Sequence, residues 1–444
     1  MTTQRERWRS RAGFLLATVG AAVGLGNMWR FPYLTAENGG AAFVVLYLVM
    51  TAAIGLPIML AELAVGRGAH KGPVEALVHF GGARWRPLGY LFVATGTLVL
   101  AYYSVVAGWI LRTTFEGLTE GFRVDAAARF DRISSGTGTV VSHLVFLALV
   151  VAIGSAGVRR GIERTATLLM PALFVILIGL AAYAATLSGA GAGYGFYLRV
   201  SFRDLLSLDV LAAAAAQAFF SLSVGMGALI TLASYMGDGG DLPRESVIVA
   251  GSDFLVAFVA GLIVFPLLFA LGLSSGIGED SIGALFIGLP QAFGQMTAGR
   301  TVGTAFFVLL LFGAFTSAIV MLEVVGAGVM EGLGRPRRTV LPVLGGFIAL
   351  LGIPAALDVR ILALADQVAA HVLLVTGALV FALFAGWAMP GAMEEAGRGA
   401  RGARWLPGWR FFLRYVAAPV LLILLVESVR DTVRMAAGLF GGGG

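Results

Sequence analysis

The chain has 444 residues, of which 58% are hydrophobic and 13% are charged, and its mean hydropathy is +0.89. Soluble domains carry about 25% charged residues, so this composition excludes a soluble domain and predicts an integral membrane protein. The net charge of +6 is better explained by arginines in cytoplasmic loops than by nucleic-acid binding. The chain has no cysteine, which excludes disulfides and thiol chemistry.

Eleven apolar stretches are long enough to cross a bilayer, which takes about 20 residues. We number them spans 1 to 11, and they cover residues 12–37, 41–66, 88–115, 139–156, 165–187, 209–236, 246–274, 300–331, 339–356, 364–388 and 411–438. An odd number of spans places the termini on opposite sides. The excess of arginine in the loops after even-numbered spans predicts a cytoplasmic N-terminus and an outer C-terminus, in a multi-pass protein of the cell membrane.

Span 1 carries glycines, an amide and a cation where an uninterrupted helix would be apolar. Its central residues read Gly20-Ala21-Ala22-Val23-Gly24-Leu25-Gly26-Asn27-Met28-Trp29-Arg30-Phe31-Pro32. Free backbone groups at membrane depth are tolerated where they line a cavity or bind something. A half-helix beginning near Gly26 would direct its amides and positive dipole end at an anion, and free carbonyls before it suit a cation. The stretch therefore predicts a site for an anionic group beside a metal ion.

Span 6 repeats this pattern. It contains Gly225 and Gly227, each 201 residues after Gly24 and Gly26. Glycine-interrupted segments at matching positions of two halves indicate a transporter site between inverted repeats. We expect one repeat over 1–188, a second over 189–390, and a cytoplasmic loop, helix 11 and short outer tail over 391–444. The alternative is that the glycines only allow close helix packing.

Polar side chains within apolar spans are costly and mark functional candidates. The Asn27 amide could give its oxygen to a cation, and a phenol of Tyr102 or Tyr103 could donate to a carboxylate, although Tyr102 fits aromatic packing better. Asp253 lies among apolar residues of span 7, where an ionised carboxylate implies a nearby cation. In span 8, Thr316 and Ser317 follow the carbonyl of Gly313 by one helical turn. Such oxygens suit a hard cation, which by elimination is Na⁺.

The first span resembles a known family. The run G-x-A-V-G-L-G-N-x-W-R-F-P, followed by Glu37-Asn38-Gly39-Gly40, is similar to the first-helix signature of the neurotransmitter:sodium symporters. The resemblance extends from Arg5 to Met435. It implies an all-α membrane protein of the bacterial amino acid transporter type, with a LeuT-like five-plus-five inverted repeat and broken helices 1 and 6.

The resemblance also implies two sodium sites. The first would use the Ala22 carbonyl, the side chains of Asn27, Ser221 and Asp253, and the substrate carboxylate. This chain departs from the family in two of these positions, because Ser221 replaces a common Thr and Asp253 a common Asn. The second site would use the carbonyls and hydroxyls of Gly20, Val23, Gly313, Thr316 and Ser317.

The implied substrate is a neutral hydrophobic L-amino acid, aliphatic or aromatic. Its carboxylate would meet the Leu25–Gly26 amides and the Tyr103 hydroxyl. Amine-carrying relatives have a carboxylate near position 24, whereas this chain has Gly24 and needs a substrate with its own carboxylate. The surrounding positions are Ala22, Val99, Phe220, Ser221, Ser223, Met226, Ser317, Val320 and Met321.

Gates above and below the site follow from the same resemblance. Arg30 and Asp366 match an outer charged pair over a lid of Phe220 and Tyr103. Arg5 and Glu331 match a cytoplasmic pair, beside Trp8 and Tyr235, although the family more often has Asp at position 331. The alternative for Arg5 is a simple positive-inside anchor.

Two further features are open to more than one interpretation. Glu62 either accepts amides of the unwound segments or lies at the membrane interface. Gly161 and Pro171 enclose nine residues. By the resemblance, this spacing would let the cytoplasmic end of span 5 unwind; alternatively, the helix simply tolerates a proline.

Many relatives also need chloride beside the first sodium site. The resemblance places that anion among Tyr47, Gln217, Ser221 and a span 7 serine, but the matching span 7 position here is Ala257. Asp253 lies one turn earlier on the same helix face and can supply the negative charge instead. We therefore expect no chloride requirement.

The sequence thus predicts a sodium-coupled symporter of amino acids in the lipid bilayer. It shows no catalytic motif, and the four histidines lack metal-ligand spacing, so an enzyme is not expected. A proton-coupled carrier of the same overall fold, a channel and a non-transporting amino acid receptor are the alternatives. The oxygen ligands of span 8 favour sodium over protons, and the asymmetric pair of broken helices argues against a pore.

Overall fold

A computed structural model describes residues 6–123, 125–273, 281–400 and 403–440, and the regular structure in these ranges is helical. Nine helices in the described ranges are long and apolar enough to cross a membrane. They correspond to spans 2 to 5 and 7 to 11, and their bounds are Ala41–Ala69, Ala83–Thr119, Gly136–Ser155, Val158–Ala185, Leu242–Ala270, Gly299–Leu333, Arg337–Leu357, Val359–Ala388 and Leu406–Ala437.

Span 1 is a bent pair of helices and makes a tenth candidate span in the described part of the chain. Arg11–Ala22 and Gly26–Glu37 meet at 46°. The first helix begins where the Ser10 hydroxyl accepts a hydrogen bond from the Gly13 amide at 2.9 Å. It ends where Val23 adopts an extended conformation, and the second helix starts on a wide π-helical turn, Gly26–Arg30. The break therefore falls at the predicted glycines.

Span 6 is also broken, into helices Leu208–Ser221 and Ala228–Ala233. Neither piece alone is long enough to cross a membrane, so the predicted total of eleven depends on joining them. Gly225 lies between the pieces with φ +87°, and an added Cβ there would lie 2.5 Å from the Leu374 carbonyl oxygen of span 10. Such a backbone needs glycine both for its conformation and for the close approach. Helix breakage and close packing, posed above as alternatives, therefore occur together.

Spans 3 and 8 are the most buried of the long helices, and they pack along each other. Small residues allow such helices to approach closely. An added Cβ on Gly108 of span 3 would lie 2.7 Å from the backbone nitrogen of His143 in span 4. Span 1 packs against spans 5, 7 and 8. Both breaks are thereby held inside the bundle, away from lipid.

Shorter helices cover the ends of the bundle, including Pro73–Gly81 and Ala392–Gly397. The second of these is fixed to span 2 by Arg67, whose side chain is buried. Its Nε donates to Glu395 Oε1 at 2.7 Å, and its Nη1 donates to the Gly240 carbonyl at 2.9 Å. Removing one partner of such a buried pair costs about 3–5 kcal/mol. Arg67 thus fastens the end of span 2 to the loop after span 6 and to the short helix after span 10.

Candidate sodium and substrate site

The breaks of spans 1 and 6 lie side by side. Ser223 Oγ donates to the Ala21 carbonyl at 3.1 Å, and Gln217 Nε2 donates to the Gly26 carbonyl at 2.8 Å. An added Cβ on Gly26 would lie 3.1 Å from the Phe220 ring. Free carbonyls and amides of both spans thus surround one region of the membrane interior.

A cluster of buried polar groups stands on one side of these breaks. Asp253 Oδ1 accepts from Asn27 Nδ2 and from Ser221 Oγ, each at 2.7 Å. Asp253 Oδ2 accepts from the Tyr47 hydroxyl at 2.8 Å. All four side chains are buried. The tertiary structure therefore brings together groups of spans 1, 2, 6 and 7, including the side chains predicted for the first sodium site.

Asn27 faces this cluster with its amide nitrogen. Its Oδ1 accepts from the Gly24 amide at 3.0 Å, while Nδ2 donates to Asp253 and Ser221. A cation in the cluster would need the Asn27 oxygen, because an NH₂ group has no lone pair to offer.

The second predicted sodium site lies between spans 1 and 8. Ser317 Oγ donates to the Gly20 carbonyl at 3.2 Å, and Thr316 Oγ1 donates to the Gly313 carbonyl at 3.1 Å. An added Cβ on Gly313 would lie 3.5 Å from the Val23 carbonyl oxygen. Five oxygens without sulfur or imidazole form a donor set that fits a hard cation.

The predicted substrate positions surround Gly24. An added Cβ at Gly24 would lie 2.5 Å from Ser317 Oγ and 3.3 Å from the Tyr103 hydroxyl. That hydroxyl is buried and has no hydrogen-bond partner among the described residues. A buried donor of this kind is costly unless something accepts from it. Apolar side chains complete the predicted pocket, and the buried ones are Leu25, Val99, Met226, Val320 and Met321.

Arg30 lies beside the Phe220 lid. Its guanidinium carbon is 4.6 Å from the centre of the Phe220 ring. Its Nη2 lies 2.6 Å from Nε2 of His371 in span 10. No ion pair within 4.0 Å joins Arg30 to Asp366, both of which the structure describes. Pairing of these two residues stays a prediction, and His371 is a contact that the sequence did not indicate.

The other end of the site is closed by a second set of contacts. Trp8 Nε1 donates to the Leu232 carbonyl at 2.9 Å, and the Trp8 and Tyr235 rings meet edge to face at 6.2 Å. The Tyr235 hydroxyl donates to Glu323, a buried carboxylate that also pairs with Arg337. The sequence analysis missed this pair, although a carboxylate within apolar span 8 was a usable signal.

The predicted cytoplasmic gate also includes Arg5 and Glu331. Arg5 lies outside the described residues. Glu331 accepts a hydrogen bond from the Gly72 amide, with 2.7 Å between Oε1 and nitrogen. A cavity of about 810 Å³ opens nearby and is lined by charged groups including Glu6, Arg7 and Arg159. Beside it, a hydrogen bond from His70 holds the pKa of the Asp238 carboxyl below its ordinary value.

Two buried carboxylates bind backbone amides at the break of span 6 and just before the first helix of span 1. Glu62 is buried and accepts from the Gly225 amide at 2.7 Å, which matches the first of its two interpretations. Glu163 in span 5 accepts from the Arg9 amide at 2.8 Å and from the Ser10 amide at 3.2 Å. Glu163 lies between Gly161 and Pro171. These hydrogen bonds therefore attach the cytoplasmic end of span 5, which the resemblance predicts to unwind, to the start of span 1.

Two oxygen clusters beside paired broken helices fit a sodium-dependent membrane transporter. Comparison with known proteins agrees. The chain matches the Sodium:neurotransmitter symporter family over residues 5–125 and 122–437, and it belongs to that family. It is a sodium-dependent transporter and not an enzyme.

The chain is similar over nearly its whole length to individual members of this family. It is 32% identical over 95% of its length to the uncharacterized sodium-dependent transporter YhdH of Bacillus subtilis, of which 97% is covered. It is 33% identical to the uncharacterized sodium-dependent transporter MJ1319 of Methanocaldococcus jannaschii, over 95% of this chain and 90% of that protein. The crystal structure of MhsT in complex with L-phenylalanine aligns with a TM-score of 0.88 and 39% identity, over 96% of this chain and all of that one. The all-α fold with broken helices 1 and 6 is thereby confirmed.

Proposed function

We propose that this chain couples sodium entry to uptake of neutral hydrophobic L-amino acids by alternating access. The observation that carries the proposal is the break at residues 23–25, which lies between a buried carboxylate cluster and a set of hydroxyl and carbonyl oxygens. Amides at the start of a half-helix suit a carboxylate, and the two flanking oxygen sets suit sodium.

The substrate class follows from what surrounds those amides. Position 24 bears no side chain, so an amine without a carboxylate would find no counter-charge there. Tyr103 supplies a buried, unpartnered hydroxyl for a substrate carboxylate. Met226 and Met321 are flexible and adapt to side chains of different shape. Support also comes from MhsT, whose structure was determined with L-phenylalanine.

Coupling arises because the substrate carboxylate would be a ligand of the first sodium site. Sodium neutralises that carboxylate, and the carboxylate completes the coordination of sodium. Each therefore raises the affinity of the other by the same factor, since binding couplings are reciprocal. Asp253 adds a fixed negative charge one helical turn before Ala257 and makes chloride unnecessary. After sodium leaves, Asp253 loses its counter-cation and can take up a proton on the return step.

Orientation belongs to the same proposal. The N-terminus lies in the cytoplasm, the C-terminus outside, and the two inverted repeats cover 1–188 and 189–390. In this orientation the cavity lined by Arg7 and Arg159 opens to the cytoplasm, which agrees with the positive-inside rule.

Uptake of labelled L-phenylalanine into proteoliposomes tests the proposal. We expect accumulation driven by an inward sodium gradient, unchanged when gluconate replaces chloride. Unlabelled leucine, methionine and tryptophan should compete, whereas dopamine and γ-aminobutyrate should not. Uptake driven by a proton gradient without sodium would support the proton-coupled alternative, and loss of uptake without chloride would contradict the role given to Asp253.

A further inference from the structure

The closest polar contact of Arg30 is a histidine. Arg30 Nη2 and His371 Nε2 are 2.6 Å apart. A guanidinium can only donate, so Nε2 must be the unprotonated nitrogen of a neutral imidazole. The other ring nitrogen, Nδ1, is buried and has no partner among the described residues. The contact therefore exists only while His371 is uncharged.

A local distortion of span 10 directs His371 at Arg30. The segment Gln367–Leu373 is a π-helical turn that follows Asp366. Hydrogen bonds from i to i+5 bring residues five apart onto one face, whereas 3.6 residues per turn would separate Asp366 and His371 widely. Such wide turns occur frequently at functional sites. Span 10 thus places a carboxylate and an imidazole together beside span 1.

We propose that His371 is the positioning residue of the outer gate. Its neutral Nε2 holds the Arg30 guanidinium over the Phe220 ring, and protonation of His371 from outside releases Arg30 and favours the open outer gate. An imidazolium carries no free lone pair, and it repels a neighbouring guanidinium. Acid outside the membrane therefore slows closure. The inference rests on the proposed function, since it assigns Arg30 to the gate of that transport cycle.

Other titratable groups near His371 do not cancel this effect. Asp366 carries a negative charge on the same helix and Arg30 a positive charge on span 1, so the two have opposite effects on an imidazolium between them. On span 3, Tyr102 and Tyr103 are neutral phenols. On span 11, the Thr432 hydroxyl accepts a hydrogen bond from Gln367 of span 10, and the neighbouring Asp431 is paired with Arg434 at 3.7 Å. Once Arg30 has moved away, the negative charge of Asp366 stabilises the protonated His371. Asp366 therefore also favours the open outer gate when His371 is protonated.

The test uses a probe that needs no substrate. The chain contains no cysteine, so two introduced cysteines carry the only spin labels. Asp209 and Arg360 are exposed at the ends of spans 6 and 10 that adjoin the predicted outer gate. Longer distances between the two labels report the open outer gate. We expect them to become more populated as the pH falls from about 8 to about 5. The equilibrium constant for gate closure should fall by up to about tenfold for each unit by which the pH is lowered, which is the limit for uptake of one proton.

His371→Gln is the deciding variant, because its amide oxygen accepts from Arg30 and does not titrate. We expect its distance distribution to be independent of pH, and its uptake of labelled L-phenylalanine to lose the acid inhibition that we expect of the parent protein. His371→Lys fixes a positive charge and should keep the gate open at every pH. His79→Gln makes the same exchange at an exposed histidine on Pro73–Gly81, away from Arg30, and should keep the parent pH profile.

The outcomes separate the two proposals. Equal pH dependence in the parent and in His371→Gln, or none in the parent, overturns the role of His371. A protein that changes its label distances with pH as described but takes up no hydrophobic amino acid contradicts the substrate class and leaves the gate assignment standing.

Discussion

Replacing Asp253 by asparagine is the most informative change to this protein. The exchange keeps the shape of the side chain and removes one negative charge from a cluster without solvent exposure. In the structure, three donors meet the carboxylate at 2.7, 2.7 and 2.8 Å. The NH₂ group of an asparagine would face either the Asn27 and Ser221 donors or the Tyr47 donor, and none of these can accept its hydrogens in the present arrangement. The cluster therefore loses a charge and places two donors against each other.

The expected effect can be estimated from these contacts. Truncating one partner of a buried, hydrogen-bonded charge pair costs 2–5 kcal/mol or more, and Asn keeps one acceptor oxygen, so we expect about 2–3 kcal/mol. This corresponds to sodium affinity that is about 30- to 150-fold weaker. Tyr47→Phe is the matched control, because it removes one donor to the same carboxylate and leaves the charge. Its sodium affinity should change by less than about fivefold.

Equilibrium binding of labelled L-phenylalanine, titrated with sodium at constant ionic strength, measures the difference. Gel filtration of each variant shows that it remains folded. The reasoning would be refuted by an Asp253→Asn protein whose half-saturating sodium concentration stays within about threefold of the parent value. A loss in Tyr47→Phe as large as in Asp253→Asn would show that the hydrogen bonds, and not the charge, set the affinity.

Three further predictions concern the remaining parts of the site. Thr316→Ala combined with Ser317→Ala removes two of about five oxygens from the second sodium site, so sodium-dependent uptake should collapse in a folded protein; unchanged sodium dependence would remove that site. Arg30→Ala should lower transport more than equilibrium binding, because gate closure and not the pocket is damaged; equal losses would make Arg30 a direct ligand. Gly24→Ala should weaken L-phenylalanine binding severely, because its Cβ would lie 2.5 Å from Ser317 Oγ; binding assays on Gly179→Ala, where an added Cβ meets no atom within 4 Å, provide the control.

The sequence alone determined the class of protein and much of its site. Apolar length fixes where the chain crosses the membrane, and a glycine or amide at that depth stands out because backbone and polar groups are costly there. The breaks at the glycine pairs of spans 1 and 6 could therefore be predicted, whereas the sodium ligands on span 8 stay a prediction. The family resemblance then assigned the roles of residues such as Asn27 and Asp253.

Only the tertiary structure decided which distant groups meet. His371 looked like one of four scattered histidines, and it is a π-helical turn in span 10 that brings its Nε2 to 2.6 Å from Arg30. Glu163 lies just before the predicted span 5, and its carboxylate accepts hydrogen bonds from the Arg9 and Ser10 amides before the first helix of span 1. Helical periodicity reports which face of a helix is apolar, but side-chain direction after a wide turn and contacts between spans depend on how the helices pack. For that reason the membrane spans and the polar residues within them could be predicted from sequence, and the contacts of His371 and Glu163 could not.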